Sequence, residues 1–340
     1  MTVYLGTGDN DSLTIRSPSV NDSYFGFGGD DWISTGSFGF LDTAYGGDGQ
    51  DTIYGGNAGD LLFGESGNDR LISEASGQYL YGGDGDDLIT LVGSSTAYGG
   101  GGIDTIYGGS GAESIFGGLG DDALFTGDGG GWIGGDEGND TLTGGSGYEG
   151  LYGGDGDDVL STGTGGGDAR AGAGNDRLIG GTSDNDYLFG RDGDDTITTG
   201  GGKDTAWGDA GNDRLTGGTA FESLYGGLGN DLLYSGGGGG IAWGDAGNDR
   251  LMGGTGSDQL YGGDGADVLW SGNDSDPNLF SGFAMGGDGN DTLTGGAFVE
   301  LLYGGNGDDV MYSGAGGGIV FGDAGNDRLT GGAANDDLNG

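Results

Sequence analysis

Aspartate is the residue type whose spacing in this sequence could support chemistry. It occupies the sixth position of a segment that recurs eighteen times, as in Trp207–Leu215 and Trp243–Leu251. Counted from the residue after the aromatic, the segment reads Gly-Gly-x-Gly-x-Asp-x-U-x, in which U is apolar. Carboxylates repeated at one interval beside an open, glycine-rich backbone are the oxygen ligands that hard cations prefer. The pattern predicts a row of metal sites whose carboxylates come from Asp11, Asp31, Asp51, Asp69, Asp87, Asp104, Asp122, Asp140, Asp158, Asp176, Asp195, Asp213, Asp231, Asp249, Asp267, Asp291, Asp309 and Asp327.

The net charge of the chain restricts its partners. Of its 340 residues, 55 are Asp or Glu and 9 are Lys or Arg, which gives a net charge of −46. This charge disfavours nucleic acid and anionic membrane surfaces as partners. A bare chain with this charge also repels itself and resists compaction. Either the acids form a solvated, halophile-like surface or cations belong to the fold, and the regular spacing of the aspartates favours cations.

The composition also argues against an enzyme. The chain contains no Cys and no His, which excludes disulfides, thiolate or imidazole metal sites, Cys nucleophiles and Ser-His-Asp triads. The many carboxylates belong to the repeat, and a thin repeat fold offers no deep pocket. No apolar run approaches the length of a transmembrane helix, so we expect no membrane insertion.

The intervals between the aspartates define the elements that position them. Most intervals equal two consecutive nonapeptides, so each turn holds two short strands and two loops. The sequence predicts an all-β fold, a right-handed parallel β-roll or β-solenoid with about 18 residues per turn and roughly 18 turns. We expect one continuous solenoid over residues 1–340, without a separate capping domain.

Two kinds of loop alternate along the chain and define two edges of the solenoid. The first-edge loops carry the eighteen aspartates and keep one length, whereas every insertion or deletion, and both Pro18 and Pro277, fall in second-edge loops. Loops normally tolerate insertions, so a constant length indicates that the first-edge loops bind something. Second-edge loops alternate between Gly-rich segments and segments that end in an acid, such as Glu222 or Asp258. Neighbouring second-edge loops rarely both offer a carboxylate and approach the full pattern only around Asp60, so we expect this edge to be mostly metal-free.

The repeat resembles the calcium-binding nonapeptide of the RTX (repeats-in-toxin) β-roll family over residues 5 to 338. The resemblance implies that Ca²⁺ takes about six oxygens, from the position-1 and position-3 carbonyls and the position-6 aspartates of two adjacent loops. Gly at positions 1, 2 and 4 fits this role, because it permits a tight turn with positive φ. Eighteen loops leave up to seventeen gaps, and about 17 Ca²⁺ along the first edge would bring the net charge from −46 to about −12. The family also implies an extracellular or cell-surface location, reached through a type I export system.

Alternation along the strands separates an inward from an outward face. The strand after each first-edge loop carries a large inward residue, such as Leu215, Leu251 or Leu329, and the opposite strand alternates Leu and Ala, as in Leu224 and Ala242. The next residue on the opposite strand points outward and forms an aromatic ladder. This ladder either stiffens the sheet by stacking, packs laterally against another copy, or stacks on carbohydrate. Its rungs are Tyr45, Phe63, Tyr81, Tyr98, Phe116, Tyr152, Phe189, Trp207, Tyr225, Trp243, Tyr261, Met285, Tyr303 and Phe321.

Five arginines stand at position 7 and carry more than half of the positive charge. They point outward on the strand after the first-edge loop. We expect them to pair with acids on adjacent turns, and the alternative is a basic stripe that meets the acidic edge of a neighbouring solenoid. They are Arg70, Arg177, Arg214, Arg250 and Arg328.

Three functions remain open at the level of the whole chain. The repeat-only sequence favours a calcium-dependent structural protein that assembles with copies of itself, as a surface layer, filament or matrix component. Leu5 and Asn339 lie at the same phase of the repeat, which would let subunits stack head to tail. The alternative is a repeat block of a larger exported toxin, adhesin or enzyme, which helps that protein to fold after export. An ice-binding or adhesive face is the third hypothesis, although Thr-x-Thr pairs such as Thr141 and Thr143 are sporadic.

Overall fold

The computed structural model of the protein describes residues 2–14, 21–36, 41–182, 185–273 and 282–340. The chain divides into two compact units, an N-terminal unit (Met1–Ala169) and a C-terminal unit (Arg170–Gly340). Both prolines, which the sequence places in second-edge loops, lie outside the described residues. The prediction of a single continuous solenoid over 1–340 stays a prediction.

The N-terminal unit consists of short strands that alternate between two sheets. Odd-numbered strands form sheet A and even-numbered strands form sheet B. The strands of sheet A are β1 (Thr2–Leu5), β3 (Asp22–Gly28), β5 (Thr43–Asp48), β7 (Leu61–Ser66), β9 (Tyr79–Asp84), β11 (Thr96–Gly101), β13 (Glu113–Leu119), β15 (Gly131–Glu137) and β17 (Glu149–Asp155). The strands of sheet B are β2 (Ser12–Thr14), β4 (Trp32–Ser34), β6 (Thr52–Gly55), β8 (Arg70–Ser73), β10 (Leu88–Thr90), β12 (Thr105–Tyr107), β14 (Ala123–Phe125), β16 (Thr141–Thr143) and β18 (Val159–Ser161).

The C-terminal unit follows the same alternation, and β19 contains the point at which the chain divides. The strands of sheet A are β19 (Gly167–Ala173), β21 (Tyr187–Asp192), β23 (Thr205–Ala210), β25 (Glu222–Leu228), β27 (Gly240–Ala246), β29 (Asp258–Asp264), β31 (Gly282–Asp288), β33 (Glu300–Asn306), β35 (Gly318–Ala324) and β37 (Asp337–Asn339). The strands of sheet B are β20 (Arg177–Ile179), β22 (Thr196–Thr198), β24 (Arg214–Thr216), β26 (Leu232–Tyr234), β28 (Arg250–Met252), β30 (Val268–Trp270), β32 (Thr292–Thr294), β34 (Val310–Tyr312) and β36 (Arg328–Thr330).

Within each unit, consecutive strands of one sheet pair in parallel and in register. In sheet A, Ala206 lies opposite Leu224, which lies opposite Ala242, and in sheet B, Arg214 lies opposite Leu232. Each turn adds one strand to each sheet, so the described residues of the two units together provide about 18 turns of about 18 residues. This confirms the predicted all-β parallel β-solenoid. The described residues contain no helix long and apolar enough to cross a membrane.

The core is one side chain deep per strand. Leu215 and Leu251 from sheet B, and Leu224 and Ala242 from sheet A, are fully buried. The predicted inward position of the alternating Leu and Ala residues is therefore confirmed. Leu329 differs from the expectation and is partly exposed, because β36 is the last even-numbered strand and no further turn covers it. A core this thin contributes little stability per turn, and each turn depends on its neighbours.

The outward aromatic residues of sheet A stack as a ladder within each unit. In the N-terminal unit, the rings of Tyr45 and Phe63 lie 4.9 Å apart and 7° from parallel. In the C-terminal unit, the Trp243 ring stacks on Tyr225 at 4.5 Å and on Tyr261 at 5.6 Å. The predicted stacking is confirmed, and offset stacks of this kind stabilise neighbouring strands. Lateral packing of the ladder against a partner stays a prediction.

Candidate metal site

All eighteen predicted aspartates lie at the first edge, immediately before a strand of sheet B. The loop that carries each one leaves a strand of sheet A, as in the chain segment from β23 through Asp213 to β24. Sixteen of these side chains are buried, whereas Asp11 and Asp327, in the first and last of these loops, are partly exposed. Asp is normally among the residues that remain at the surface, and buried Asp is paired or bound to a metal.

One oxygen of each buried aspartate belongs to a ladder of hydrogen bonds between turns. The backbone N–H of Asp195 donates to Oδ1 of Asp213 at 2.8 Å, and the N–H of Asp213 donates to Oδ1 of Asp231 at 2.7 Å. The N-terminal unit repeats the arrangement, with the Asp69 N–H donating to Oδ1 of Asp87 at 2.7 Å. This ladder satisfies one amide per loop and explains why a short carboxylate side chain stands at position 6.

The other oxygen, Oδ2, is buried without a hydrogen-bond partner in the same row of residues. A buried carboxylate oxygen without a partner is costly, because it has lost its hydration and gained nothing in return. Either a proton or a cation would remove the cost. Single oxygens of this kind also occur at the second edge, as in Glu113 and Glu300, but at the first edge they recur from turn to turn, which marks that edge as the candidate metal site. The first-edge residues are Asp31, Asp51, Asp69, Asp87, Asp104, Asp122, Asp140, Asp195, Asp213, Asp231, Asp249, Asp267, Asp291 and Asp309.

A carbonyl oxygen of the next turn approaches the same point. A Cβ atom built on Gly208, at position 1, would overlap Oδ2 of Asp213 and lie 2.6 Å from the carbonyl oxygen of Gly226, at position 1 of the following loop. The N-terminal unit has the same arrangement at Gly117, where Asp122 Oδ2 and the Gly135 carbonyl oxygen converge. Close approach therefore explains glycine at position 1, where Ala171 is the one exception in the sequence. The expectation of positive φ holds for positions 2 and 4, as in Gly227 and Gly229 at 113° and 132°, and not for position 1.

Burial raises the pKa of these carboxyls. The pKa of Asp69 rises to about 7, mainly through burial, and the negative charge of Asp51 adds to the shift although the Asp51 N–H opposes it. Asp231 behaves in the same way, with a pKa of about 7 and the charges of Asp213 and Asp249 adding to the effect of burial. A row of buried carboxyls therefore favours protonation, and a divalent cation would lower these pKa values by supplying the missing positive charge.

The donor set fits calcium. Among the described residues, no three carboxylates gather around one point, so a cation would take most of its ligands from backbone carbonyls and one carboxylate oxygen per turn. Calcium accepts such flexible, oxygen-only sets, whereas magnesium demands a stricter octahedron. Asp11 fits less well, because its Oδ2 already accepts hydrogen bonds from the Thr7 N–H and, at 2.9 Å, from the Thr7 hydroxyl. The assignment of the eighteen aspartates as ligands stays a prediction.

The second edge closes its loops by hydrogen bonds instead. Oδ2 of Asp258 accepts the Gly254 N–H of its own loop at 2.8 Å, and its Oδ1 accepts the Ser235 hydroxyl at 2.5 Å. Oε1 of Glu113 accepts the N–H groups of Gly109 and Gly111, both at 3.1 Å. Loop amides and a hydroxyl therefore hold part of each carboxylate, although Oε2 of Glu113 has no hydrogen-bond partner in the described part of the chain and burial raises the pKa of Asp258 to about 6. The expectation of a mostly metal-free second edge stays a prediction.

At two places along this edge, a Ser or Thr hydroxyl in one turn donates a hydrogen bond to the carboxylate of the next turn. Ser235 precedes its acceptor Asp258 by 23 residues, and Thr35 donates at 2.7 Å to Oδ2 of Asp60, which lies 25 residues further along the chain. Sequence reasoning noticed the alternation of Gly-rich and acid-ending loops but missed this pairing. The available signal is the Ser or Thr that begins the Gly-rich loop and precedes the acid by about 23 residues, although Ser313 has the same spacing to Asp336 and its hydroxyl has no hydrogen-bond partner among the described residues.

Two stretches of the second edge repeat the amide ladder of the first. In the N-terminal unit, the Asp22 N–H donates to Asp42 Oδ1 at 2.8 Å, and the Asp42 N–H donates to Asp60 Oδ1 at 2.9 Å. In the C-terminal unit, the Asp186 N–H donates to Asp204 Oδ1 at 2.8 Å. The sequence indicated the first stretch around Asp60 and missed the second. The missed signal is the acid at the same phase in consecutive turns.

The five position-7 arginines do not form the expected local ion pairs. All five are exposed on sheet B, and none has a carboxylate oxygen within 4.0 Å among the described residues. An ion pair among the described residues instead joins Arg191 and Asp209, on sheet A, at 3.5 Å. Arg191 also lies over the ring of Phe189, at 5.2 Å.

Comparison with known proteins identifies the repeat. The family model described as the RTX calcium-binding nonapeptide repeat matches residues 38–71, 79–91, 98–133, 125–160, 134–168, 170–206, 180–215, 207–241, 243–276, 285–320 and 314–340. Among curated proteins, none matches the chain significantly. The matched segments cover most of the chain and contain fifteen of the sixteen buried first-edge aspartates, all except Asp31, and such repeats bind Ca²⁺ in general. The chain therefore belongs to the RTX calcium-binding nonapeptide repeat family.

Proposed function

We propose that this protein is an extracellular structural protein whose solenoid folds when calcium is present and which then assembles with copies of itself. The observation that carries the proposal is the row of buried first-edge Oδ2 atoms without hydrogen-bond partners. The net charge of −46 makes these carboxylates repel one another, and a thin core contributes too little stability to bring them together in the absence of cations. Calcium, when bound, supplies the positive charge that the carboxylates lack.

The first-edge residues would couple binding to folding. Position-6 aspartates from adjacent turns contribute to one site, so a site exists only after two turns have stacked. A preformed site is absent from the unfolded chain, and binding free energy then becomes folding free energy. Extracellular calcium modules bind in the range of about 0.1–1 mM. The chain would therefore stay expanded inside a cell and fold outside, which agrees with the export that is typical of proteins with this repeat.

The surface supports an assembling role better than a catalytic one. The cavities at the described surface are shallow, for example one of about 390 Å³ lined by Gln259, Tyr261 and Phe283. The chain also lacks His and Cys. Both sheets instead present regular outward rows, aromatic on sheet A and partly basic on sheet B. Periodic faces of this kind suit repeated contacts between copies.

The test follows β structure and particle size as calcium is varied. Far-ultraviolet circular dichroism should show little β structure in excess EDTA, a cooperative gain on addition of about 1 mM CaCl₂, and no equal gain with MgCl₂. Electron microscopy of the calcium-loaded sample should show sheets or filaments that EDTA disperses. Full β structure in EDTA would refute coupled folding. Monomers alone at millimolar calcium would refute assembly and favour the alternative, a repeat block that aids the folding of a larger exported protein.

A further inference from the structure

Three exposed arginines of the C-terminal unit each share a loop with an acid that adopts an unfavourable backbone conformation. The pairs are Asp209 with Arg214, Asp245 with Arg250, and Asp323 with Arg328, at positions 2 and 7 of the repeat. The three acids have φ angles of 73°, 71° and 66°. This region favours glycine, which stands at position 2 in most other loops. Asp tolerates this region better than most residues, but glycine fits it without strain, so the local conformation alone does not explain why an acid stands here.

The acids have little to pair with on their own face. Asp245 lies between Gly227 and Gly263 on the neighbouring strands, and Asp323 lies opposite Gly305. The side chains of Asp245 and Asp323 are exposed. Asp209 forms the ion pair with Arg191 described above, and a partly exposed pair of this kind exchanges partners at little cost.

Each acid and its arginine point in opposite directions. Alternation along β27 puts Trp243 and Asp245 on the outward face of sheet A, because Ala242 and Gly244 are buried. Arg250 is exposed on the outward face of sheet B, and the inward residues of both sheets meet in the core. The two charges of one loop thus lie on opposite sides of the turn. They cannot pair with each other, so an ion pair between such groups requires a second molecule.

We propose that the outward face of sheet A in the C-terminal unit of one copy binds the outward face of sheet B in the C-terminal unit of a second copy. The contact places Asp209, Asp245 and Asp323 opposite the partner's Arg214, Arg250 and Arg328. The inference rests on the proposed assembling function and names the surface that mediates it. In a pair of copies joined in this way, one copy still has a free sheet A face and the other still has a free sheet B face. Further copies can therefore add at both sides, and the assembly grows as an open row.

The spacing of the charges fixes the orientation of the two copies. Asp209 and Asp245 are separated by two turns, and Asp245 and Asp323 by four, and the three arginines repeat this unequal spacing. Turns stack about 4.8 Å apart, so the separations are about 10 and 19 Å on both faces. Two copies match at all three points only when their axes run in the same direction. In an antiparallel arrangement, two acids four turns apart would face two arginines only two turns apart, so the three pairs could not form together.

The surroundings of the charges suit a partly apolar contact. On sheet B, Arg214 borders a shallow cavity of about 210 Å³ whose lining includes Leu232, Tyr234 and Met252. On sheet A, the acids lie beside the aromatic ladder around Trp243. The partner's arginine can therefore meet a carboxylate and a ring together.

The test reverses each half of the contact separately. The acidic variant carries Arg214→Glu, Arg250→Glu and Arg328→Glu, and the basic variant carries Asp209→Lys, Asp245→Lys and Asp323→Lys. A basic residue is accommodated at position 2, because Arg191 stands there with φ of 87°. Sedimentation velocity at millimolar calcium should show assembly of each variant alone weakened by at least about tenfold. An equimolar mixture should assemble again, since acidic and basic faces then alternate.

Controls separate loss of contact from loss of fold. Circular dichroism with calcium should be the same for both variants and the unmodified protein. If a triple reversal fails to fold, the milder Arg214→Gln, Arg250→Gln, Arg328→Gln and Asp209→Asn, Asp245→Asn, Asp323→Asn variants replace it, because Asn tolerates the left-handed region. Two outcomes would overturn the inference and leave the proposed function standing. In the first, the unmodified protein assembles and each variant alone assembles equally well. In the second, the mixture of the two variants does not recover assembly. An unmodified protein that stays monomeric overturns both.

Discussion

The two oxygens of each first-edge aspartate have different roles. Oδ1 receives an amide from the preceding turn, as Asp213 Oδ1 does from Asp195 at 2.8 Å, and this bond needs no metal. Oδ2 faces the carbonyl of the next turn without a donor. A neutral amide side chain could keep the first role and would lose the second, so Asp-to-Asn changes separate structural from metal-binding contributions.

Asp195→Asn should lower calcium affinity while leaving the amide ladder formed. In the unmodified protein the Asp176 N–H donates to Oδ1 of Asp195 at 2.8 Å, and the Asn Oδ1 can accept the same hydrogen bond. The Asn side chain, however, no longer offers a charged oxygen. We expect the calcium-loaded protein to lose about 2–3 kcal/mol of unfolding free energy, measured by denaturant titration. Asp194→Asn is the matched control, because it removes the same charge from an exposed neighbouring position in the same loop. Equal losses for the two variants would contradict the assignment.

The two edges are elements of different kind. At the first edge, adjacent turns contribute carboxylates that burial pushes toward protonation, with pKa values of about 7 for Asp87 and Asp122. At the second edge, acids such as Asp258 bind amides and a hydroxyl of their own edge. The first edge should therefore respond to calcium, whereas acids of both edges should respond to protons, because burial also raises the pKa of Asp204 to about 7 and that of Asp258 to about 6.

Acidification should promote folding of the calcium-free protein. The folded pKa values of first-edge aspartates, about 6 for Asp51 and about 7 for Asp195, lie above the value of about 3.9 in an unfolded chain. Their contribution to stability is thus fully present below about pH 4 and is lost as the pH rises through 6 to 7. In EDTA, circular dichroism should show β structure at pH 4.5 that disappears by pH 8. Calcium should reverse the trend, because protons compete with it. A calcium-free chain equally unfolded at both pH values would contradict this.

Removing the Ser235 hydroxyl should destabilise the solenoid without changing its calcium content. Ser235→Ala leaves the buried Asp258 Oδ1 without its donor at 2.5 Å, at a cost of about 1–3 kcal/mol. Native mass spectrometry should count as many calcium ions as in the unmodified protein. Asp249→Asn is the comparison variant, because Asp249 lies in the first-edge loop between Ser235 and Asp258, and it should lower the number of bound calcium ions. Loss of an ion from Ser235→Ala would show that the second edge binds calcium at this turn.

At the scale of the whole molecule, charge and repetition determine behaviour together. Each turn buries one inward residue per sheet and contacts its neighbours, so stability accumulates along the chain and no turn is stable alone. The net charge of −46 opposes that accumulation. Divalent ions bound in one row would neutralise the charge where it is most concentrated, and the sequence carries no other large source of positive charge.

The number of bound ions distinguishes one occupied edge from two. Nine first-edge loops in each unit leave eight gaps per unit, so we expect about 16–17 calcium ions per saturated chain. Equilibrium dialysis at millimolar calcium measures this number directly. A few additional ions would be assigned to the acid stretches around Asp42 and Asp204. A count near 34 would show that both edges are filled and would contradict the one-sided interpretation.

The sequence by itself determined the features that repeat locally. Every second nonapeptide carries an aspartate, and its interval defines the turn and the first-edge loop. The apolar residue two positions later and the alternation of Leu and Ala define the core face. Strand alternation and loop length are local properties, so the sequence determines them directly. For this reason the fold class, the number of turns, the burial of residues such as Leu215 and the stacking of rungs such as Trp243 could be predicted.

Only the tertiary structure decided which atoms meet between turns. It showed that Oδ2 of Asp213 lacks a donor, that Gly208 is required by close approach, that Ser235 serves Asp258 across 23 residues, and that exposed Arg250 has no carboxylate within reach among the described residues. These facts depend on which groups of two stacked turns face one another across about 4.8 Å. A period in the sequence places residues on a face, but it does not state which oxygen of a carboxylate is already bonded or which charge points away from its partner.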